Sequence, residues 1–222
     1  MKKTLFLILS LMFLSGCATY YPVRVNDYLN ATRTSISLHP GASVFVLENK
    51  NERNPIFDAE IKSKIERLLA EKGYRIASSD SADLYISFTY SISSGNSTTE
   101  VRPVYNPGDT ETIQTSKSNG KTSTSIVTLP GYTTYVPYRV TVYTSTLILN
   151  VLDAKSLRDA NERQILWIGE NSTTGENPVL RETINYLLVA AFLHFGESTG
   201  KSIIANISEN DPRIKGFYGK VY

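Results

Sequence analysis

Apolar residues that recur every three or four positions predict two helices in this chain. Asn54-Pro55 and Asn177-Pro178 each combine an N-cap residue with proline at the first helical position, where the missing N–H costs nothing. Gly73 and Gly196 end the two patterns. The second helix is apolar on nearly every side over residues 186–195, so we expect it to be largely buried. The recurring apolar positions are Phe57, Ile61, Ile65, Leu68 and Leu69, and then Leu180, Ile184, Leu187, Leu188, Ala191, Phe192 and Phe195.

Short β-branched runs and period-two alternation predict strands at residues 42–48, 82–90 and 164–169. Residues 138–142 alternate in one phase and 147–151 in the other, which indicates either a bulge or a strand buried on both faces. Several consecutive strands lie between the two helices. This order predicts an α+β fold, with a mostly antiparallel sheet packed against two helices.

Residues 91–125 are rich in Ser, Thr, Asn and Gly and carry few large apolar side chains. Such a stretch buries too little surface to offset the entropy of ordering it. We therefore expect a long polar hairpin or loop insertion within the domain. The Pro130-Gly131 dipeptide that follows is a strong turn signal and predicts a hairpin there.

The first sixteen residues have the layout of a secretory signal peptide: a basic pair, an apolar run too short to span a bilayer, and small residues before Cys17. Leu14-Ser15-Gly16-Cys17 resembles the lipobox of bacterial lipoproteins, which implies cleavage before Cys17 and lipidation of its thiol. The alternatives are an ordinary signal peptide or a buried structural thiol. We expect residues 17–41 to form the lipidated N-terminus and a tether, and residues 42–222 to form one domain.

Charge and cysteine content narrow the function further. Removing residues 1–16 takes away two lysines and leaves 21 basic and 21 acidic residues, so no cationic surface for nucleic acid is expected. Cys17 is the only cysteine, so its lipidation leaves no thiol for a disulfide or a metal. Ala18 follows it, and by resemblance to enterobacterial lipoproteins this favours the outer membrane, with the domain facing the periplasm.

Three short motifs resemble a family of uncharacterised bacterial periplasmic lipoproteins. They are Lys72-Gly73-Tyr74, Ala82-Asp83-Leu84 and Leu166-Trp167-Ile168-Gly169, found together with the lipobox and a Ser/Thr/Tyr-rich middle. Members of this family share a domain of unknown function with an Ala-Asp-Leu strand and a Trp-x-Gly strand. The resemblance covers about residues 42–205 and implies location and fold, but no activity. The polar segment 91–125 is longer than the family pattern.

The motifs that suggest chemistry are better explained as structure. The glycine-rich segment 196–202 has three residues between its glycines and follows a helix, whereas a phosphate loop needs four and precedes one. His39 and His194 are far apart in sequence, and no serine lies in a Gly-x-Ser-x-Gly elbow. The acids lie in or beside predicted turns, where they are usually solvated: Asp153, Asp159, Glu162, Glu170 and Glu176. We expect no enzyme activity, no cofactor and no metal site.

Tyrosine is the most informative residue type, with fourteen tyrosines against one tryptophan. Tyr132, Tyr135, Tyr138 and Tyr143 crowd into one predicted hairpin and form a candidate interaction surface, although tyrosine is also an ordinary strand residue. We expect a non-catalytic lipoprotein that is anchored to the membrane through Cys17. We expect it to bind another envelope protein and to act as a binding or assembly-accessory module. The alternatives are a periplasmic carrier of a lipid or small hydrophobic ligand and, less favoured, a cell-envelope hydrolase.

Overall fold

The computed structural model describes residues 19–33, 38–48, 54–118 and 121–218, with the side chains of residues 33 and 111–127 excepted. The predicted signal peptide and lipidation site, residues 1–16 and Cys17, lie outside these ranges. The chain divides into two units. We call Met1–Ser94 with Tyr143–Tyr222 the core unit, and Gly95–Val142 the ribbon unit.

A mixed sheet forms the centre of the core unit, in the order β10-β1-β9-β8-β4-β2-β3. β2 pairs in parallel with β3 and β4, and the other neighbours pair antiparallel, which confirms the predicted α+β class and mostly antiparallel sheet. β8 reaches the core unit from Tyr143 onward. The strands are β1 Tyr20–Leu29, β2 Ser43–Val46, β3 Arg75–Ile76, β4 Leu84–Ile92, β5 Asn96–Asn106, β6 Thr110–Ser118, β7 Lys121–Thr128, β8 Tyr132–Asp153, β9 Ile165–Gly175 and β10 Ile203–Ser208.

β1 corrects the assignment of residues 17–41 to a tether. Tyr20–Leu29 lies inside the sheet, paired with β9 on one side and β10 on the other. Its buried residues, Val23, Val25 and Asp27, alternate with exposed or half-buried ones. The tyrosines, proline and asparagines around this short alternation obscured it in the sequence.

The two predicted helices are α1 (Pro55–Glu71) and α3 (Leu180–Leu193), and the structure adds the short helices α2 (Ala154–Ala160) and α4 (Pro212–Phe217). Asn54 caps α1 as predicted, because its side chain accepts a hydrogen bond from the N–H of Phe57 at 3.1 Å. Asn177 does not cap α3, which has Val179 at its N-cap. The Asn177 side chain instead accepts from the N–H of Val179, and so organises the turn before the helix. Among the described helices, none is both long and apolar enough to cross a membrane.

The main hydrophobic core includes buried side chains of the sheet, α1 and α3. Ten of the fourteen residues of α3 are buried, as its nearly continuous apolar sequence predicted. Each fully buried Leu, Ile or Phe side chain stabilises the fold by about 1.5–3 kcal/mol. A buried polar link joins the helices, where Lys64 Nζ of α1 donates to Asn185 Oδ1 of α3 at 2.8 Å and pairs with Glu60 Oε1 at 2.6 Å.

The Trp-x-Gly motif is a packing unit on β9. Trp167 and Gly169 are two residues apart on one strand, so their side-chain positions share the buried face. The indole lies across Gly169, where a Cβ would sit 2.2 Å from the Cη2 atom of Trp167. Trp167 Nε1 donates to the carbonyl oxygen of Glu197 at 2.7 Å, so its polar atom is also satisfied. The motif therefore holds a large aromatic ring flat against the sheet.

The Ala-Asp-Leu motif aligns the starts of two strands. Ala82 and Leu84 are buried, and they belong to separate apolar clusters. Asp83 between them is exposed, and its Oδ2 accepts from the N–H of Ser43 at 3.0 Å and from the hydroxyl of Ser43 at 2.5 Å. These hydrogen bonds from Ser43 lower the pKa of the Asp83 carboxyl. The motif therefore fixes the register between β2 and β4.

The ribbon unit consists of paired antiparallel strands. β5 pairs with the first half of β8 from Asn96↔Val142 to Asn106↔Tyr132. β6 then pairs with β7 from Thr110↔Thr128, four residues further along each strand, so the register is unchanged. Pro130-Gly131 is not the hairpin turn that the sequence predicts, because the chain does not reverse direction there. The dipeptide lies in the interruption between β7 and β8, where the N–H of Leu129 donates to the carbonyl oxygen of Asp109 at 2.8 Å.

We predict that Gly169→Ala destabilises the protein by about 1–3 kcal/mol, because the new methyl group must displace a buried indole that has no room to move. Gly175→Ala is the matched control, since it lies on the same strand and a Cβ there meets nothing within 4 Å. Urea denaturation of both variants measures the difference. Equal midpoints for the two variants would disprove the packing role of the motif.

We predict that Asp83→Ala costs about 0.5–1.5 kcal/mol, because it removes the carboxylate acceptor of the Ser43 N–H and hydroxyl at a position that water can reach. The loss should be greatest above the ordinary carboxyl pKa. It should shrink as the pH falls through the lowered pKa of Asp83, where the wild-type carboxylate also becomes protonated. Denaturation at a series of pH values tests this. Asp80→Ala, in the adjacent turn, should change stability little, and an equal loss in both variants would contradict the role of Asp83.

Candidate functional site

The four tyrosines of the predicted interaction surface all lie on β8, but they do not form one cluster. Tyr132, Tyr135 and Tyr138 lie in the ribbon unit and Tyr143 in the core unit. Tyr132 is 61% exposed and Tyr135 is 69% exposed, whereas Tyr143 is half-buried and lines a small cavity of about 110 Å³ with Tyr21. The most exposed tyrosines of the candidate surface, Tyr132 and Tyr135, therefore both belong to the ribbon unit.

Strand register separates the exposed tyrosines onto opposite faces of the ribbon. Directly paired residues of antiparallel strands share a face, and successive residues alternate between faces. Tyr132 pairs with Asn106 and Tyr138 with Glu100, which places both on one face. Tyr135 pairs with Pro103 and belongs to the other face.

The face that carries Tyr135 presents a contiguous apolar surface, which we call the stripe: Val101, Pro103, Tyr105, Tyr135 and Pro137. Val101 pairs with Pro137 and Pro103 with Tyr135, while Tyr105 comes next on the same face of β5. Val101 is 63% exposed and Tyr105 66% exposed. Neighbouring large apolar side chains at such exposure are typical of interaction surfaces, whereas isolated ones are ordinary.

The β5 half of the stripe is not evident from composition, because residues 91–125 as a whole are polar. The signal was present in residues 101–105, where Val, Pro and Tyr alternate with Arg and Val. Proline hid it, because proline within a run argues against a central strand. An alternating pattern with prolines is compatible with an exposed two-stranded ribbon, in which each strand has an edge of its own.

The two prolines of the stripe disfavour a partner that would bind by adding a strand to the edge of the ribbon. Pro103 and Pro137 lack an N–H, so within a paired strand they fit only where the N–H would point away from the ladder. One proline lies on each strand, so both outer edges lose a donor needed for strand addition. The stripe therefore favours contact through its face over extension of the ribbon by another strand.

A glycine makes room for one of the stripe tyrosines. A Cβ at Gly131 would lie 2.3 Å from the hydroxyl oxygen of Tyr105, so only glycine permits the observed position of this ring. Gly131 of the Pro130-Gly131 dipeptide thus leaves the space that the Tyr105 ring occupies. Tyr105 is held along the ribbon while it stays largely exposed.

The opposite face of the ribbon makes contacts of its own. The hydroxyl of Tyr138 donates to Glu100 Oε2 at 3.1 Å, and the guanidinium of Arg102 lies 5.8 Å from the centre of the Tyr138 ring. The hydroxyl of Tyr138 and one side of its ring are therefore already in contact with residues of the ribbon itself. This face is charged and internally paired, in contrast to the stripe.

Asp153, His39 and His194, which the sequence offered as candidates for catalysis or metal binding, are placed by the structure as follows. Asp153 caps α2 by accepting from the N–H of Lys155 at 2.9 Å. His39 is exposed, and His194 is half-buried with its Nδ1 3.6 Å from Glu197 Oε2. Within the described ranges, no three His, Cys, Asp or Glu side chains lie close enough together to hold a metal ion.

The interior of the core unit is filled by side chains at the interface of the sheet with α3. Trp167, Leu187 and Leu188 are fully buried there. A cavity of about 500 Å³ lies elsewhere, and its lining includes Arg24 and Glu170 with several hydroxyl side chains. Most of the residues that line it have polar side chains, whereas a site for a hydrophobic ligand is lined mainly by apolar and aromatic ones.

Buried carboxylates remain after these assignments. Asp58 of α1 accepts a hydrogen bond from the hydroxyl of Tyr90 at 2.5 Å. Asp27 of β1 is 1% exposed, and burial, together with the nearby negative charge of Glu197, raises the pKa of its carboxyl to about 7. Neither carboxylate was singled out from the sequence.

Comparison with known proteins gives a family and a distant structural match. The family model described as "Domain of unknown function (DUF4136)" matches residues 25–195, from β1 to just beyond α3. A PDZ domain protein from Parabacteroides distasonis ATCC 8503 matches at 12% sequence identity with a TM-score of 0.49. That match covers 92% of this chain and 42% of the other, so this chain spans less than half of that protein. No curated protein sequence matches.

Proposed function

The chain belongs to the DUF4136 family of domains of unknown function, and from this premise we propose that it is a non-catalytic, lipid-anchored envelope protein that binds a partner protein through the stripe. The anchor is Cys17, within the Leu14-Ser15-Gly16-Cys17 motif. We place the protein at the outer membrane, facing the periplasm. The ribbon unit is the long hairpin insertion of the domain and serves as its binding element.

The exposure of the stripe is the observation that carries this proposal. Val101, Tyr105 and Tyr135 each leave more than 60% of their surface exposed. A buried tyrosine contributes about 150–250 Å² of contact at a low cost in side-chain entropy, and truncation of such an anchor typically costs 2 kcal/mol or more of binding energy, by order of magnitude. The pairing of β5 with β8 holds these side chains in place before a partner arrives, which lowers the entropy cost of binding.

The chemistry of the stripe indicates the kind of partner it fits. Arg139 pairs with Thr99, which places it on the same face, beside the Val101↔Pro137 pair. Arg139 is exposed, and the stripe itself holds no acid. The expected partner is an envelope protein with an apolar patch flanked by an acidic side chain. We favour this function over a hydrophobic-ligand carrier because, among the residues that the structure describes, the side chains between the sheet and α3 are closely packed and fully buried.

We predict that a photo-crosslinking amino acid at position 135 captures a discrete partner in living cells, and that the same group at position 132 on the opposite face captures far less. Tyr105→Ser in the position-135 background should lower the crosslinked yield at least about tenfold, because it removes a neighbouring anchor. Tyr132→Ser is the matched control and should leave the yield unchanged. Equal adducts from the two positions would argue against the stripe as the binding surface.

Arg139→Glu tests the charge of the partner separately. It should lower the same crosslinked yield by repelling the expected acidic side chain, and the loss should be smaller in high salt because salt screens exposed charges. Arg139→Gln should have an intermediate effect. An increased yield with Arg139→Glu would indicate a basic partner instead.

The anchor proposal makes a prediction of its own. The wild-type protein should incorporate radiolabelled palmitate and sediment with outer-membrane vesicles, and Cys17→Ala should lose the label, because the thiol is the attachment atom. Ser15→Ala is a matched control that should keep the label. A palmitate-labelled Cys17→Ala protein would rule out Cys17 as the lipidation site.

A further inference from the structure

Asp27 has a buried carboxylate that no residue in the described part of the chain compensates. It lies on β1 opposite Gly169 of β9 and is 1% exposed. Neither of its carboxylate oxygens accepts a hydrogen bond from any residue that the structure describes. Because an unpaired buried charge is strongly unfavourable, this position is stable only while the carboxyl carries a proton.

The backbone of Asp27 fastens a short segment, residues 197–199, which we call the strap. Its carbonyl oxygen accepts from the N–H of Thr199 at 3.2 Å and from the hydroxyl of Ser198 at 3.3 Å, and its own N–H donates to Thr199 Oγ1 at 3.0 Å. The carbonyl oxygen of Glu197 accepts from Trp167 Nε1 at 2.7 Å. The strap thus bonds both to the residue that bears the buried acid and to the single tryptophan.

The charges around Asp27 favour the protonated acid. Glu197 of the strap is the charged group that acts on it, and its carboxylate is 3.6 Å from His194 at the end of α3. On β9 Asp27 pairs with Gly169, and the next residue of that strand, Glu170, is exposed. β10 carries no ionisable side chain. Tyr186 is the one ionisable residue among the buried side chains of α3.

The consequence of this environment is a titration close to neutral pH. The carboxyl pKa of Asp27 is raised from its ordinary value of 3.8 to about 7, by burial first and by Glu197 second. The folded protein therefore holds a proton that an unfolded or hydrated Asp27 releases. As the pH rises from 4 towards 7, the closed state progressively loses stability relative to any state in which water reaches Asp27.

We propose that Asp27 and the strap form a proton-dependent latch. Protonated Asp27 keeps the strap closed over β1 and Trp167, and when the proton leaves to solvent the strap opens and lets water reach the carboxylate. The strap is the element that moves because it is short and largely exposed, whereas β9 and α3 are packed in the core. The domain would then present a different surface in acidic and in neutral surroundings.

Trp167 provides the test, because it is the only tryptophan and bonds to the strap. The full-length chain in mild detergent is titrated from pH 5 to pH 8.5 while tryptophan emission and its quenching by acrylamide are recorded. We expect a red shift and a several-fold rise in quenching with a midpoint near 7, at constant far-UV circular dichroism. Hydrogen exchange at residues 197–199 should accelerate over the same range.

Matched variants identify the titrating group. Asp27→Asn mimics the protonated acid and should stay closed at every pH, while Glu197→Gln should shift the midpoint to lower pH by removing the neighbouring negative charge. His194→Gln should keep the transition. A flat wild-type titration, a transition that survives in Asp27→Asn, or one that disappears in His194→Gln overturns the latch. If Asp27→Asn does not fold, the direction of the Glu197→Gln shift decides.

Discussion

The burial of α3 against the sheet is the constraint on which the rest of the core unit depends. This helix is apolar on almost every side, so it is stable only when covered. Trp167 lies flat on β9, and the Phe195 ring just beyond α3 lies 4.9 Å from it. Lys64 of α1 donates a hydrogen bond to Asn185 of α3 and so fixes α3 beside α1. β1 and β10 extend the sheet on one side of β9 and complete it.

This arrangement gives two short sequence motifs of the core unit a structural role. Trp-x-Gly places an aromatic ring in the core, and Ala-Asp-Leu aligns two strands through Ser43. Both motifs stabilise the fold and neither presents a reactive group. A binding role is therefore better sought outside these two motifs, and in this chain the ribbon unit offers a large exposed apolar surface.

Helix periodicity and strand alternation were sufficient to predict α1, α3 and the mostly antiparallel sheet, because each has a long, regular apolar pattern. β1 was missed because its inward pattern is short and includes a buried acid, Asp27. The stripe was only half predicted, since Tyr135 stood out while its neighbours on β5 were hidden among polar residues and proline. Pairing across strands also decides which tyrosines share a face, and that depends on register, which composition does not reveal.

The central claim is that the core unit is a scaffold and that binding resides in the ribbon unit. The N–H of Ser93 donates to the carbonyl oxygen of Thr144 at 2.9 Å, so a two-residue Asn-Gly turn can join these residues in place of residues 94–143. The shortened protein lacks position 135, so the decisive measurement uses a general chemical crosslinker on cells that express it and recovers the partners from their envelopes. Urea unfolding followed by Trp167 fluorescence is the check on folding. If binding resides in the ribbon unit, the shortened protein still folds, shown by cooperative unfolding in urea, but captures no partner. A folded, shortened protein that still captures the partner would contradict it.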